Sequence, residues 1–231
     1  MIKAVIFDMY ETLITLFESP VYFGTQIAED IGIDVDVFLE VWDSMVGERS
    51  IGKITLEEVL EMIMRKNQCY NEELLNKVVR KRIEAKRECF SHLHPQIIPM
   101  LSELKRRKIK VALISNCFSE EAMVIRESVL FPFFDAVYMS YEQGVQKPDK
   151  EIFNRCITEL GVLPQECLYV GDGGNYELET ADEINMNVFQ ATWYLKEGTT
   201  QPAQKKQNFL HLETPYEIFK YISSNKDYSF V

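Results

Sequence analysis

Residues able to do chemistry recur at one kind of place in this chain, the ends of short apolar runs and the turns beside them. Asp8 follows IKAVIF, Ser115 and Asn116 follow KVALI, Lys147 stands in GVQKPD, and Asp172 stands in YVGDGG. Each is ordinary alone, because Asp, Asn, Ser and Gly favour turns and caps on conformational grounds. Together they offer carboxylates, a hydroxyl, an amide and an ammonium. A positioned, desolvated carboxylate is suited to attack a phosphate ester. Attack by one anion on another requires positive charge to neutralise it.

Those residues need elements to position them. The runs over 2–7, 110–114, 136–139 and 167–170 are short and largely apolar without alternation, as strands covered on both faces are, and a fifth strand is expected at 187–190. The segments between the later runs read as helices. One over 99–108 places Pro99 at its first position and basic residues in its last turn. Another over 151–160 precedes a glycine. Alternation of this kind predicts an α/β fold, a Rossmann-like doubly wound parallel sheet. Residues 16–90 break the alternation. Val35, Phe38, Leu39, Trp42, Met45 and Val46 recur at helical spacing, as do Leu56, Val59, Leu60, Ile63 and Met64, and then Leu74, Leu75, Val78, Val79 and Ile83. Thr55 and Glu58 form a capping-box signature before the second group. The predicted organisation is a core of 1–15 and 91–231 with an inserted α-helical cap over 16–90. Ligands of open α/β sheets bind beyond the carboxyl ends of the strands, so a cap launched there can cover the site. Residues 196–207 read as a surface loop, 214–222 as a final helix, and the last residues as a frayed end.

Composition excludes several classes. The formal net charge of −11 argues against nucleic acid as a partner. The basic runs at 77–86 and 105–108 are mixed with Glu and read as solvated helix faces. Five scattered cysteines, never paired as CxxC, suit reduced thiols in a cytoplasmic protein. No apolar stretch is long enough to span a membrane. His92 and His94 lack a third ligand nearby, Cys117 is a spectator thiol, and the aromatic cluster at 131–134 packs below a strand. No signal fixes an oligomeric state.

The four motifs in this order resemble the haloacid dehalogenase superfamily of hydrolases and phosphotransferases. The resemblance covers nearly the whole chain and is most specific over GVQKPDKEIFNRCITELGVLPQECLYVGDGGNYELETA. It implies Asp8 as nucleophile, passing through a phosphoaspartate. It implies Mg²⁺ held by Asp8, the Tyr10 main-chain carbonyl and Asp172. Lys147, the Ser115 hydroxyl and the Asn116 main-chain N–H would bind phosphoryl oxygens. Glu177, five residues after Asp172, would support the metal site from behind, orienting water or Lys147. The implied substrate is a small phosphorylated metabolite. Arg49, in the interhelix stretch GERSIGKIT, is a candidate substrate contact set against the commoner fate of a solvated arginine.

Tyr10 departs from the pattern. Phosphatases of this family commonly carry a second Asp there, which protonates the leaving oxygen. Such help is worth about 10²–10⁴-fold. Tyrosine at this position also resembles the metal-independent 2-haloacid dehalogenases of the same superfamily, whereas Asp172 in GDGG resembles the metal-dependent phosphatases. A third reading is a catalytically weak protein that binds a phosphorylated ligand or partner. Glu11 is disfavoured as a replacement acid, because consecutive side chains of an extended backbone point opposite ways.

Overall fold

The structure is a computed structural model and describes residues 1–196 and 203–222. Six parallel strands form one sheet: β1 (Ala4–Phe7), β2 (Lys110–Ser115), β3 (Ala136–Met139), β4 (Cys167–Gly171), β5 (Asn187–Ala191) and β6 (Leu210–Leu212), in the order β3-β2-β1-β4-β5-β6. Eleven α-helices accompany them among the described residues: α1 (Gly24–Ile31), α2 (Val35–Ser44), α3 (Val46–Ser50), α4 (Leu56–Lys66), α5 (Glu72–Glu88), α6 (Ile97–Arg106), α7 (Ser119–Glu127), α8 (Ser140–Gln143), α9 (Lys150–Leu160), α10 (Glu177–Glu183) and α11 (Ile218–Ile222). None is long and apolar enough to cross a membrane.

Strand side chains alternate between two buried faces. Val5 and Phe7 join Val111 and Leu113 on one face, under α6, α7 and α11. Ala4 and Ile6 join Ala112, Ile114 and Tyr169 on the other, under α9 and α10. A two-residue period thus sends the central strand residues alternately into two apolar layers, which explains why the runs lack a polar face. Register places the chemistry. Phe7 pairs with Leu113 and with Val170, so Asp8, Ser115 and Asp172 leave the sheet at one rim. Strand order reverses about β1, which makes that rim the topological switch point.

Helices α1, α2, α4 and α5 form their own apolar cluster around Ile27, Phe38, Leu60, Ile63 and Val78. The capping box at Thr55 and Glu58 is present, with the Glu58 N–H donating to Thr55 Oγ1 at 3.2 Å and the Thr55 N–H to Glu58 at 2.8 Å. This helical cluster, the expected cap, packs close against the sheet half of the chain. At Gly52, with φ +75°, a Cβ would lie 2.2 Å from the Tyr141 carbonyl oxygen.

Several details differ from expectation. Helix α6 begins at Ile97, so Pro99 occupies its third position, where its missing N–H is still no loss. Strand β6 is three residues long, too short to signal itself. The final helix opens as a 3₁₀ turn at Pro215–Glu217. Of the expected loop at 196–207, residues 197–202 lie outside the described residues, as does the expected fraying of 223–231. Lys206 is tied down, its N–H donating to Gln190 Oε1 at 2.8 Å.

Leu113 is 0% exposed in the centre of the sheet, whereas Ile98 on α6 is 39% exposed. Leu113→Ala is therefore expected to cost roughly 2–5 kcal/mol, and Ile98→Ala within about 0.5 kcal/mol. Urea titrations of the two variants check the contrast through their midpoints.

Candidate active site

Asp8 starts the site. Its backbone N–H still donates to Val170 at 2.9 Å, so the residue is held by the last rung of the sheet as the chain turns away. Just past the end of the neighbouring strand β4, Asp172 is held twice. Its Oδ1 accepts from the Gly174 N–H at 2.9 Å, and its carbonyl accepts from the Gln190 amide at 2.7 Å. Glu177 opens α10 and reaches back under the turn, accepting from the Gly173 N–H at 3.1 Å. That reach needs Gly171, where a Cβ would lie 2.0 Å from Glu177 Oε1. Carboxylate oxygens of Asp8, Asp172 and Glu177 all fall within 4.8 Å of one another, and all three residues are buried.

Lys147, 2% exposed, enters from the loop before α9. Its ammonium donates to Asp8 Oδ1 at 2.6 Å and forms an ion pair with Glu177. Asn116 fixes the backbone beneath it. The Asn116 amide donates to the Lys147 carbonyl at 2.9 Å, and the Lys147 N–H donates to Asn116 Oδ1 at 2.8 Å. Asn116 therefore offers its side chain to the lysine loop as well as its main chain to the rim. Ser115 is fully buried at the end of β2, its hydroxyl near the Asn116 carbonyl at 3.4 Å. The Tyr169 hydroxyl donates to Glu177 Oε2 at 2.8 Å and accepts from Lys147 at 3.4 Å. Tyr169 went unnoticed in the sequence; its signal was a phenol inside an otherwise apolar run.

Electrostatics follow from burial. The Asp8 carboxyl is pushed up to about 7 by burial, with Lys147 pulling it down and Glu177 pushing it further up. Burial, then Glu177 and Asp8, hold Asp172 well above the usual carboxylate range. Burial acts against the Lys147 charge, but Asp8 and Glu177 outweigh it and hold the ammonium above its ordinary range. Three carboxylates against one ammonium leave two negative charges in excess when all are ionised. Oxygen donors in that arrangement fit a hard divalent cation such as Mg²⁺. Both Glu177 oxygens already face protein donors, so Asp8 and Asp172 have the more available ones.

Tyr10 and Glu11 settle differently. The Tyr10 phenol is raised well above its usual range by burial and then by Glu121, so it stays protonated. It can donate a hydrogen bond but cannot serve as a base at neutral pH. Glu11 has φ +55°, not the extended backbone expected. Its carboxylate accepts from the Thr15 hydroxyl at 2.7 Å and from the Leu16 N–H at 2.8 Å, closing the turn after β1.

Beyond Tyr10 lies the seam between cap and core, and here expectation is corrected. Arg49 is neither in an interhelix stretch nor solvated; it sits in α3 and is 1% exposed. Its guanidinium lies 3.7 Å from the Trp42 ring centroid and 4.1 Å from that of Phe118. Trp42 is thus more than helix core. Arg82 and Lys86, read as part of a solvated basic face, are also buried. They continue the stripe Val78-Arg82-Lys86 at four-residue spacing, and that spacing was the signal available in the sequence. Their partners stand on α7, with Arg82 Nε 3.2 Å from Glu120 and Lys86 2.6 Å from Glu121. Lys86 lies 5.3 Å from the Tyr10 ring centroid, joining the seam to the Asp8 loop.

A family model described as haloacid dehalogenase-like hydrolase matches residues 2–185. The chain is 32% identical over 95 residues to the glyceraldehyde 3-phosphate phosphatase of Methanopyrus kandleri, a match spanning 40% of each. Its fold is similar to that of a 2-haloacid dehalogenase from Pseudomonas syringae pv. tomato, with a TM-score of 0.72, 17% identity, and 96% and 99% of the two chains covered. It is also similar to that of a HAD family enzyme from Bacteroides thetaiotaomicron in complex with magnesium and inorganic phosphate, with a TM-score of 0.62, 18% identity, and 87% and 98% covered.

Two outcomes test the electrostatics. Asp172→Asn removes one of three crowded buried carboxylates, so in EDTA its melting temperature is expected to rise, and scanning calorimetry reads the sign. Gly171→Ala forces Glu177 from beneath the turn. It is expected to lower the metal-free melting temperature by several degrees, on the order of 2–4 °C per kcal/mol for a chain of this size.

Proposed function

The chain belongs to the haloacid dehalogenase-like hydrolase family, and on that premise we propose that it is a Mg²⁺-dependent phosphatase of a small phosphorylated metabolite. The observation that carries this reading is the buried trio Asp8, Asp172 and Glu177 facing a single Lys147. A cluster with excess buried negative charge is costly unless a cation completes it. A dehalogenase that attacks carbon without metal has no use for such a cluster. The named relative in Methanopyrus kandleri is a phosphatase, which supports the phosphoryl chemistry. The neighbour holding magnesium and phosphate supports the metal. Five free cysteines suit a reducing, cytoplasmic compartment.

In this reading an Asp8 oxygen attacks phosphorus as the bond to the leaving oxygen breaks, leaving a phosphoaspartate on Asp8. Water then cleaves the acyl phosphate, releasing inorganic phosphate and restoring the carboxylate. Asp8, Asp172 and the Tyr10 main-chain carbonyl would hold Mg²⁺, which would supply positive charge for the approach of one anion to another. Lys147 orients the Asp8 carboxylate through its 2.6 Å hydrogen bond and adds a fixed positive charge. Glu177 and Tyr169 hold that ammonium in place. The Ser115 hydroxyl and Asn116 main-chain N–H donate to phosphoryl oxygens. Tyr10, a protonated phenol, donates to the leaving oxygen but transfers its proton poorly. The preferred substrates therefore carry good leaving groups, such as acyl or aryl phosphates and phosphoanhydrides.

Hydrolysis of acetyl phosphate is expected to require Mg²⁺, to stop in EDTA, and to vanish in Asp8→Asn. Halide release from 2-chloropropionate that persists in EDTA would overturn the phosphatase reading in favour of dehalogenation. Absence of turnover across a phosphate ester panel, with phosphate analogues still bound, would make the protein a phospho-ligand binder instead. Tyr10→Asp restores a proton shuttle, and its kcat on alkyl phosphates is expected to rise by up to roughly 10²-fold. Unchanged kcat in a variant with native circular dichroism would refute the missing-acid argument.

A further inference from the structure

We propose that the cap–core seam binds a carboxylate of the substrate through Arg49, so that the substrate is a phosphomonoester carrying a carboxylate group. This rests on the phosphatase reading and extends it to a substrate class.

The anomaly is Arg49 itself. Its Nε, Nη1 and Nη2 are all buried, and none makes a hydrogen bond. A buried guanidinium is normally paired, because an uncompensated charge away from water is costly. The carboxylate oxygen in ion-pair range, Glu120 Oε1, stands 3.5 Å from Nη2 and already takes Arg82 Nε at 3.2 Å. The other Glu120 oxygen accepts from the Ser119 hydroxyl at 3.3 Å. Glu121 is engaged by Lys86 at 2.6 Å and by the Phe118 N–H at 3.0 Å. Among the buried groups named, Arg49, Arg82 and Lys86 thus face Glu120 and Glu121 and one positive charge is left over, with the exposed Asp43 also acting on Arg49.

Charge and shape select the ligand. A single surplus charge matches a carboxylate at −1 better than a second phosphoryl group at about −1.5 to −2. With Trp42 and Phe118 against the guanidinium faces, the N–H edge is the part left for recognition. A planar carboxylate meets that edge with two parallel hydrogen bonds.

Position ties this ligand to the reacting centre. Ser50, beside Arg49, shares a 3.1 Å hydrogen bond with Ser140. The Ser140 oxygen in turn accepts from the Cys117 N–H at 3.0 Å, directly after Ser115 and Asn116. Lys86 abuts Tyr10, two residues after Asp8. These contacts join the seam to the chain segments that carry Asp8 and Ser115, so in this assignment a substrate with its phosphoryl group at Asp8 would extend its far end toward Arg49.

The test compares carboxyalkyl phosphonates of two to four carbons with alkyl phosphonates of the same length, by calorimetry in Mg²⁺. Wild type is expected to favour the carboxylated member of a pair by roughly 10–100-fold, the worth of a charge-assisted pair of hydrogen bonds. Arg49→Met is expected to reduce that ratio to near one without lowering the melting temperature, since Arg82 and Lys86 then balance Glu120 and Glu121. No preference in wild type, tighter binding of alkane bisphosphonates, or a lower melting temperature with the preference intact would each overturn the assignment. Should Arg49→Met not fold, the wild-type phosphonate comparison decides alone. Turnover of 3- and 4-carboxyphenyl phosphate against phenyl phosphate separates the two readings. Hydrolysis of all three at equal kcat/KM sinks the carboxylate site and keeps the phosphatase. Carboxyl-selective phosphonate binding without any hydrolysis keeps the site and retires the phosphatase.

Discussion

One ammonium among three carboxylates is the constraint from which the rest of the site follows. Lys147 must reach Asp8 and Glu177 at once from a loop that belongs to neither strand. The fold meets this demand from several directions. The Asn116 side chain grips the lysine backbone from both sides of its peptide. Glycine at 171 leaves room for Glu177 to pass beneath the turn. Tyr169 contributes a hydroxyl where its neighbours in β4 contribute only carbon. Each device costs apolar packing or chain entropy that a purely structural sheet end would not spend. Their convergence marks a place where charge was worth burying.

The cap repeats the problem with the sign reversed. There the excess among the buried groups is positive, with Arg49 of α3 and Arg82 and Lys86 of α5 gathered at Glu120 and Glu121 of α7. The two buried clusters are linked through the Asp8 loop on one side and the Ser115 rim on the other. One buried cluster is thus negative in excess and the other positive. Two such clusters would orient a bound molecule whose two ends differ in charge.

Much of this was legible in the sequence, for identifiable reasons. Strands of a parallel sheet are buried on both faces, so β1 to β4 showed as largely apolar runs, and polar residues at their ends stood out. The cap helices showed through their three- and four-residue spacing. What stayed hidden depended on distant pairing. Arg82 and Lys86 look like solvent-facing cations until Glu120 and Glu121, more than thirty residues on, are brought against them. Arg49 was misplaced because a five-residue helix between two longer ones has no period to detect. Glu11 was set aside on an extended backbone it does not have; its positive φ turns the carboxylate into a turn-closing group. Strand β6 has three residues and pairs only at the sheet edge, so no pattern could announce it.

The seam also bears on how the cap can move. A cap held down by hydrocarbon alone exposes that surface to water whenever it lifts. Here Arg49, Arg82, Lys86, Glu120 and Glu121 regain hydration on separation, which offsets much of what their pairing contributed. Parting the two halves is then closer to an exchange of partners than to a rupture. Water competes with the protein's own charges for these groups, and the ionic strength of the medium adds a second competitor.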